Sequence, residues 1–335
     1  MILLTGGAGY IGSHTAVELL NSGYDIVITD DFSNSKKEVL YAIREITARD
    51  FIFYDVNVAD RNATEQIFKE QKIDCVIHFA GFKAVSESIK RPLKYYRNNI
   101  GTTLNLLELM IKYNARQFIF SSSATVYGDP LSLPITEDAV IGNCTNPYGY
   151  TKFFIEQILK DVVHAYPTMS VVVLRYFNPV GAHQSGLIGE LPNNTPNNLM
   201  PYITQTAAMI HDRVHIFGND YPTKDGTCIR DYIHVVDLAR GHVAALEYAM
   251  HHTGIDVFNL GTGTGYSVLD IIHAFEYSTG ITVPFDFVAR RDGDVPVCFA
   301  STDKAHNFLR WTTEKTLFDM CIDAWRWQRH CMNEK

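Results

Sequence analysis

The sequence predicts an α/β fold, a doubly wound parallel sheet joined to a smaller C-terminal α/β domain, on three observations. Short β-branched runs alternate with longer helical patterns through the first half, those runs are continuously apolar, and a glycine-rich turn follows the first of them. Strands buried on both faces read as unbroken apolar runs, and parallel strands need right-handed crossovers, so helices come to cover both sides of the sheet. In order, Ile2–Thr5 is the first strand and Tyr10–Asn21 the first helix, with further strands at Asp25–Thr29, Phe51–Tyr54, Cys75–His78, Gln117–Ser121 and Val171–Arg175. After Tyr176 the texture changes. Glycine, proline and asparagine crowd Gly181–Asn198, the composition of a long functional loop, and a second region begins there. Asp231–Val235, Val236–Met250, Val257–Leu260 and Val268–Ser278 then read as strand, helix, strand and helix. The expected division is 1–176 for the first domain, with 231–262 returning to it, and 177–335 for the second.

Composition excludes several classes. The 335 residues are 46% apolar and 20% charged, which fits large packed cores and neither disorder nor coiled coil. With 29 Lys and Arg against 37 Asp and Glu, the formal charge of −8 leaves no footprint for nucleic acid or an anionic membrane, so an anionic ligand must be held by local groups. The six cysteines are scattered without Cys-x-x-Cys spacing, which predicts reduced thiols and a cytosolic location. Neither a charged, apolar leader nor a membrane-length apolar run of about twenty residues is expected.

Thr5-Gly6-Gly7-Ala8-Gly9-Tyr10-Ile11-Gly12 lies between the first strand and first helix. Glycines there permit a tight turn and close backbone approach, so a pyrophosphate can sit on the helix N-terminus. Asp30 and Asp31 end the second strand, where a carboxylate accepts hydrogen bonds from an adenosine ribose and repels a 2′-phosphate. The unit therefore predicts NAD. Gly261-Thr-Gly-Thr-Gly265 also lies between strand and helix, but no second strand ending in an acid follows, and it reads as a structural turn.

Tyr148 and Lys152 stand one turn apart at the start of an amphipathic helix. A phenol titrates near about 10, and an ammonium beside it is expected to favour the phenolate, making an acid–base pair. Ser121-Ser122-Ser123 ends a strand, putting hydroxyls at the carboxyl edge of the sheet, where ligands of this architecture bind. The thirteen histidines are dispersed, and His211 and His215 span a helix end, so no metal site is expected.

Together with His78-Phe79-Ala80-Gly81, Ser121-Ser-Ser-Ala-Thr-Val-Tyr-Gly128 and Asn146-Pro-Tyr-Gly-Tyr-Thr-Lys152, the glycine turn resembles the extended short-chain dehydrogenase/reductase superfamily, with its Rossmann domain. Gly218-Asn-Asp-Tyr-Pro-Thr-Lys-Asp-Gly-Thr227, Arg230-Asp-Tyr-Ile-His-Val235 and Arg290-Arg-Asp-Gly-Asp294 resemble its UDP-glucose 4-epimerase family. The resemblance covers nearly the whole chain. It implies NAD as cofactor, a UDP-sugar as substrate, and Tyr148, Lys152 and Ser123 as catalytic residues. For the cofactor it implies Gly6, Gly9, Tyr10, Ile11 and Gly12 at the diphosphate, and Asp30, Asp31, Asn34, Ser35, Asp55 and Val56 at the adenosine end. Phe79, Ala80, Gly81, Lys83, Asn98, Ser121 and Tyr176 complete that set with Tyr148 and Lys152. The second domain would bind the UDP-sugar. Lys83, Ser123, Ala124, Tyr148, Phe177 and Asn178 would serve the sugar end, and Asn198, Leu199, Phe217, Arg230, Arg291 and Asp294 the nucleotide end. Two guanidiniums suit a diphosphate. By the same resemblance Cys298 lies beside the sugar C2 substituent, where tyrosine confines relatives to glucose and galactose and a small residue admits an acetamide; a register one residue off would put Phe299 there instead. A homodimer through helices near Leu93–Tyr113 and Asn146–Ala165 is also implied.

Related dehydratases carry an added acid pair where this chain has Ala124-Thr125, which disfavours elimination. A UDP-glucuronate 4-epimerase or decarboxylase would need a partner for the sugar carboxylate that no residue obviously supplies. A non-catalytic NAD-sensing regulator sits poorly with an intact Ser123, Tyr148 and Lys152.

Overall fold

The structure is a computed structural model that describes residues 1–191, 196, 198–291 and 293–333. Parts of the Gly181–Asn198 loop (192–195 and 197) and residue 292 of the Arg290–Asp294 motif lie outside the described residues. The strands of the first half are β1 (Ile2–Thr5), β2 (Ile26–Asp30), β3 (Ile52–Asp55), β4 (Cys75–His78), β5 (Gln117–Ser123) and β6 (Ser170–Tyr176). The second half supplies β7 (Asn178–Val180), β8 (Val214–Phe217), β9 (Ile229–His234), β10 (Gly254–Leu260), β11 (Gly265–Ser267), β12 (Phe285–Val288) and β13 (Val297–Cys298).

Among the described residues, seven strands form one parallel sheet in the order β10-β6-β5-β4-β1-β2-β3. Successive side chains feed opposite faces, as the pleat requires. Ile2, Leu4, Ile28, Ile77, Ile119 and Leu174 enter the core under the helices Tyr10–Asn21 and Val235–His251. Leu3, Val27, Val76, Phe118, Phe120 and Val173 enter a second core under Gly101–Tyr113 and Pro147–Ala165. The apolar runs of the sequence are two interleaved sets, one per face. The edge strand β3 is the exception, with Ile52 exposed. Strand order reverses between β1 and β4, and the carboxyl ends on either side of that point carry the glycine turn and His78-Phe79-Ala80-Gly81, which makes it the ligand crevice.

The segment 231–262 divides. Residues up to His234 belong to β9, in a smaller sheet ordered β11-β9-β13 with β7 also paired to β9. The helix Val235–His251 then packs against Tyr10–Asn21, and β10 joins β6 at the edge of the large sheet. The expected strand Val257–Leu260 begins earlier, because Gly254, Ile255 and Asp256 pair with Ser170, Val171 and Val172. A third core, including Ile203, Ile216, Tyr232, Phe275 and Met320, holds the second region together.

Candidate active site

Glycine is obligatory at two points of the turn after β1. Gly6 has φ +70°, and a Cβ there would stand 2.8 Å from the Ala80 nitrogen; a Cβ on Gly12 would fall on the Gly6 carbonyl oxygen. Gly9 is the N-cap of the following helix and no side chain caps it, so the leading N–H groups and the positive end of the dipole remain for an anion. Tyr10 and Ile11 form the first helical turn, and the Tyr10 hydroxyl donates to the Gly181 carbonyl (2.8 Å). Phe79 and Ala80 face the turn, both donating N–H to the Thr5 carbonyl at 3.0 Å, while Gly81 lies against Asn99.

Asp30 is buried at the end of β2. It accepts from Ala8 N–H (3.0 Å), Phe32 N–H (3.0 Å) and Ser35 Oγ (2.7 Å), and burial raises its carboxyl above the ordinary range. Three bonds leave about one of a carboxylate's four acceptor positions. Asp31 is exposed and bonded to Ser33 N–H and Asn57, whereas Asp55 pairs with Lys37 (2.8 Å). Asn34 lies in the same loop as Ser35, and the Val56 carbonyl accepts from Thr29 Oγ1 (3.0 Å). A cradle that only glycine can form, opposite a buried carboxylate, fits the diphosphate and adenosine ribose of NAD.

The helix Pro147–Ala165 starts with proline in its first turn and with Asn146 as cap, whose side-chain Oδ1 accepts from Gly149 N–H (2.9 Å). This start brings Tyr148 to the end of β5, where its hydroxyl faces Ser123. Lys152, one turn on, is buried, donates to the Ser121 carbonyl (2.5 Å) and lies 4.8 Å from the centre of the Phe120 ring. Burial pulls the Lys152 ammonium down to about 8, and Glu156 opposes that shift. Burial raises the Tyr148 phenol, and Ser123 and the Lys83 ammonium pull it back; the Lys152 head, on the Ser121 carbonyl, lies 5.9 Å from the centre of the Tyr148 ring. Asn98 sits in a π-helical turn, Tyr96–Ile100, a local distortion that often marks functional sites. Its neighbour Asn99 ties the Lys83 loop to the helix of Tyr148, bonding the Phe82 backbone and Thr151 Oγ1 (3.1 Å). Tyr176, at the end of β6, hydrogen-bonds His242.

Of the remaining candidates, the smaller sheet carries Asn178, Arg230 and Cys298, and Phe217 ends β8, which pairs with β12 in a separate two-stranded sheet. Asn178 lies opposite Tyr232, and Cys298 opposite Arg230. Arg230 reaches Asp294 (3.3 Å), and Arg291 stacks 4.0 Å from the centre of the Phe217 ring. Cys298 packs with Ala124 against a satellite core containing Phe177, and burial pushes its thiol up to about 11. Phe299 turns the other way, so that a Cβ on Gly265 would meet its ring at 3.4 Å. Leu199 packs into the third core. Lys83 donates to Glu190 (3.0 Å), which also accepts from Asn198 (2.7 Å). Glu190 escaped the sequence reading because a lone acid in a Gly/Pro/Asn loop carries no motif. The turn Gly261–Gly265 spends its N–H groups internally: Thr262 and Gly263 donate to the buried Asp231 carboxylate, which also accepts from Ala300. His211 lies beyond the helix end at Ala207 and His215 on β8, and among the described residues no cluster of His, Cys, Asp or Glu is arranged to hold a metal.

A glycine cradle at the switch point of a doubly wound sheet, with a Tyr-x-x-x-Lys helix and a serine facing it, defines a dinucleotide-dependent enzyme of the short-chain dehydrogenase/reductase type. Residues 2–261 match the NAD dependent epimerase/dehydratase family, and the chain belongs to that family. It is 57% identical over 332 residues to the UDP-glucose 4-epimerase of Bacillus subtilis, covering 99% of this chain and 98% of that one. Its fold matches UDP-glucose 4-epimerase from Bifidobacterium longum in complex with NAD+ and UDP, at TM-score 0.96 and 49% identity over 100% and 99% of the two chains. It also matches the enzyme from Stenotrophomonas maltophila with bound NAD and formylated UDP-arabinopyranose, at TM-score 0.97 and 47% identity over 100% and 99%.

Proposed function

We propose that the chain is a NAD-dependent UDP-glucose 4-epimerase, an isomerase that interconverts UDP-glucose and UDP-galactose. The feature that carries this reading is Tyr148 facing Ser123 at the carboxyl edge of the sheet, with Lys152 one turn deeper on the Ser121 carbonyl. When bound, NAD supplies a hydride acceptor that returns the hydride within the same turnover. Gly6, Gly9, Tyr10, Ile11 and Gly12 hold its diphosphate, Asp30 its adenosine ribose, and Lys152 its nicotinamide ribose. Ser123 hydrogen-bonds the sugar 4-oxygen, and Tyr148 takes its proton as hydride leaves C4. The resulting 4-keto sugar keeps its diphosphate on Arg230 and Arg291 while the ring turns, and Tyr148 returns the proton after hydride reaches the other face. Asn178 and Asn198 serve the sugar and diphosphate, Phe217 the uracil, and Asp294 the uridine ribose.

Cys298 is small, and like Ala124 it packs against the core that contains Phe177, next to Arg230 in register. The enzyme therefore also interconverts UDP-N-acetylglucosamine and UDP-N-acetylgalactosamine. It acts as a cytosolic homodimer. The dimer reading is supported by exposed Leu93, Leu104 and Phe154 on the helices that resemblance assigns to the interface, and the compartment by six free cysteines. No helix of the described residues is long and apolar enough to cross a membrane. The test is to incubate purified protein with UDP-galactose without added cofactor and identify the nucleotide sugars formed. UDP-glucose without net NADH is expected, and no conversion rejects the reading. Light scattering should return twice the chain mass.

A further inference from the structure

The helix Pro147–Ala165 carries a third polar residue on the face of Tyr148 and Lys152: Glu156, at the next i+4 position. Its side chain is 1% exposed, as costly a place for a charge as any in the molecule. Arg175 on β6, itself 3% exposed at its side chain, closes a fork on it, Nε to Oε1 at 3.1 Å and Nη2 to Oε2 at 2.7 Å. Ser122 donates its hydroxyl to the same Oε1 at 2.6 Å. The three serines that end β5 thus meet the three helix residues one for one. Ser123 faces Tyr148, the Ser121 carbonyl accepts from Lys152, and Ser122 donates to Glu156.

We propose, resting on the 4-epimerase reading, that Glu156 is a positioning residue for Lys152: its carboxylate is the counter-charge that keeps the Lys152 ammonium protonated in a water-poor site. Arg175 sets how much of that charge Lys152 feels, by sharing the same carboxylate. The other groups around the Lys152 head do not supply an anion. They are the Ser121 carbonyl and Phe120 ring from β5, the neutral phenol of Tyr148 on the same helix, and His78 from β4, whose imidazole is held neutral by burial and by Lys152 itself. Glu156 favours the charged form of Lys152 against burial, in the direction that this geometry requires.

A residue that only braced the helix would lower the rate without moving an ionisation. A counter-charge makes a signed prediction. In Glu156→Gln the amide can still accept from Arg175 and Ser122, but Lys152 then faces an uncompensated guanidinium and loses its proton more readily. The basic limb of kcat/KM for UDP-galactose should move down by about one to two pH units, the size expected for charges a helical turn apart in a protein interior. In Arg175→Met the carboxylate answers to Lys152 alone, and the limb should move up. The double variant removes both charges and should return near the wild-type limb, since replacing a buried pair as a whole is tolerated better than breaking it. Competitive acetylation of Lys152, read by mass spectrometry across pH, follows the same amine without turnover. Opposite shifts in the single variants and their cancellation in the double establish the proposal. Limbs and labelling profiles unmoved in whichever of the three variants fold, whatever their rates, overturn it. A set of variants that shifts correctly in labelling, alongside a wild type that converts no UDP-galactose, overturns the functional reading and leaves the charge relation standing.

Discussion

Tyr148 can serve as the acid–base group only because its neighbours work against its own burial. Burial favours the protonated phenol, while the Ser123 hydroxyl and the Lys83 ammonium favour release. Replacing it with phenylalanine removes the proton carrier and leaves the ring, so Tyr148→Phe should lower kcat by about 10²–10⁴-fold. The nucleotide released on denaturation should be unchanged in the same preparation, which separates lost chemistry from lost cofactor. A near-normal turnover would move the base elsewhere. Cys298 is proposed at the other end of the sugar site, where size rather than charge would decide. Phe299 lies against Gly265 while Cys298 packs on the core containing Phe177, so the cysteine is the side chain proposed to meet the sugar end. Cys298→Tyr should abolish turnover of the N-acetylated pair and spare glucose and galactose, since steric overlap penalises only the larger substrate. Comparing kcat/KM for both pairs in wild type and variant decides it, and equal losses would remove Cys298 from the role of size gate.

At the scale of elements, the glycine turn is built so tightly that its function and its shape are one constraint. An added methyl at Gly12 would occupy the space of the Gly6 carbonyl oxygen, and in Gly6 it would also force a left-handed backbone onto a residue with a side chain. Gly12→Ala should therefore yield folded protein, with a wild-type circular dichroism spectrum, that no longer carries nicotinamide nucleotide after purification. Full cofactor content in that variant would relocate the diphosphate. This turn was legible in the sequence because its demands are local, as were the apolar runs of β1, β2 and β4 and the one-turn spacing of Tyr148 and Lys152. Long-range partners were not. Nothing within a few residues of Glu156 announces Arg175, which arrives from the neighbouring strand, and Glu190 meets Lys83 across 107 residues of chain. The first residues of β10 were missed for a related reason. Gly254 and Asp256 are poor strand formers, and they extend only because β6 offers a ladder to pair with.

At the scale of the whole molecule, three buried histidines tie the packing to pH. His14 lies in the first helix, its Nδ1 on the Tyr10 carbonyl (2.7 Å); His78 bonds Thr5 Oγ1 (2.7 Å) between β1 and β4; His242 sits under Tyr176. Burial lowers all three below the ordinary value of 6.5, to about 3 for His14 and His78 and about 4 for His242. Their folded values lie below the unfolded one, so as pH falls through 6.5 the unfolded chain takes up protons that the folded chain refuses. The stability they contribute is complete above that point and is lost progressively towards the folded values. A tenfold difference in proton affinity between the two states is worth about 1.4 kcal/mol, so the three histidines together should remove about 4 kcal/mol between pH 7.5 and 5.5. That is a large fraction of the roughly 5–15 kcal/mol that holds a domain folded. Asp30, Asp231 and Asp237 are raised by burial and act with the opposite sign as pH approaches the carboxylate range, which is why the window ends at 5.5. Urea unfolding at the two pH values measures the loss directly. In His14→Gln one of the three protons is gone, and the difference between the two pH values should shrink by about a third; a pH dependence identical to wild type would mean that His14 is not held neutral in the folded protein.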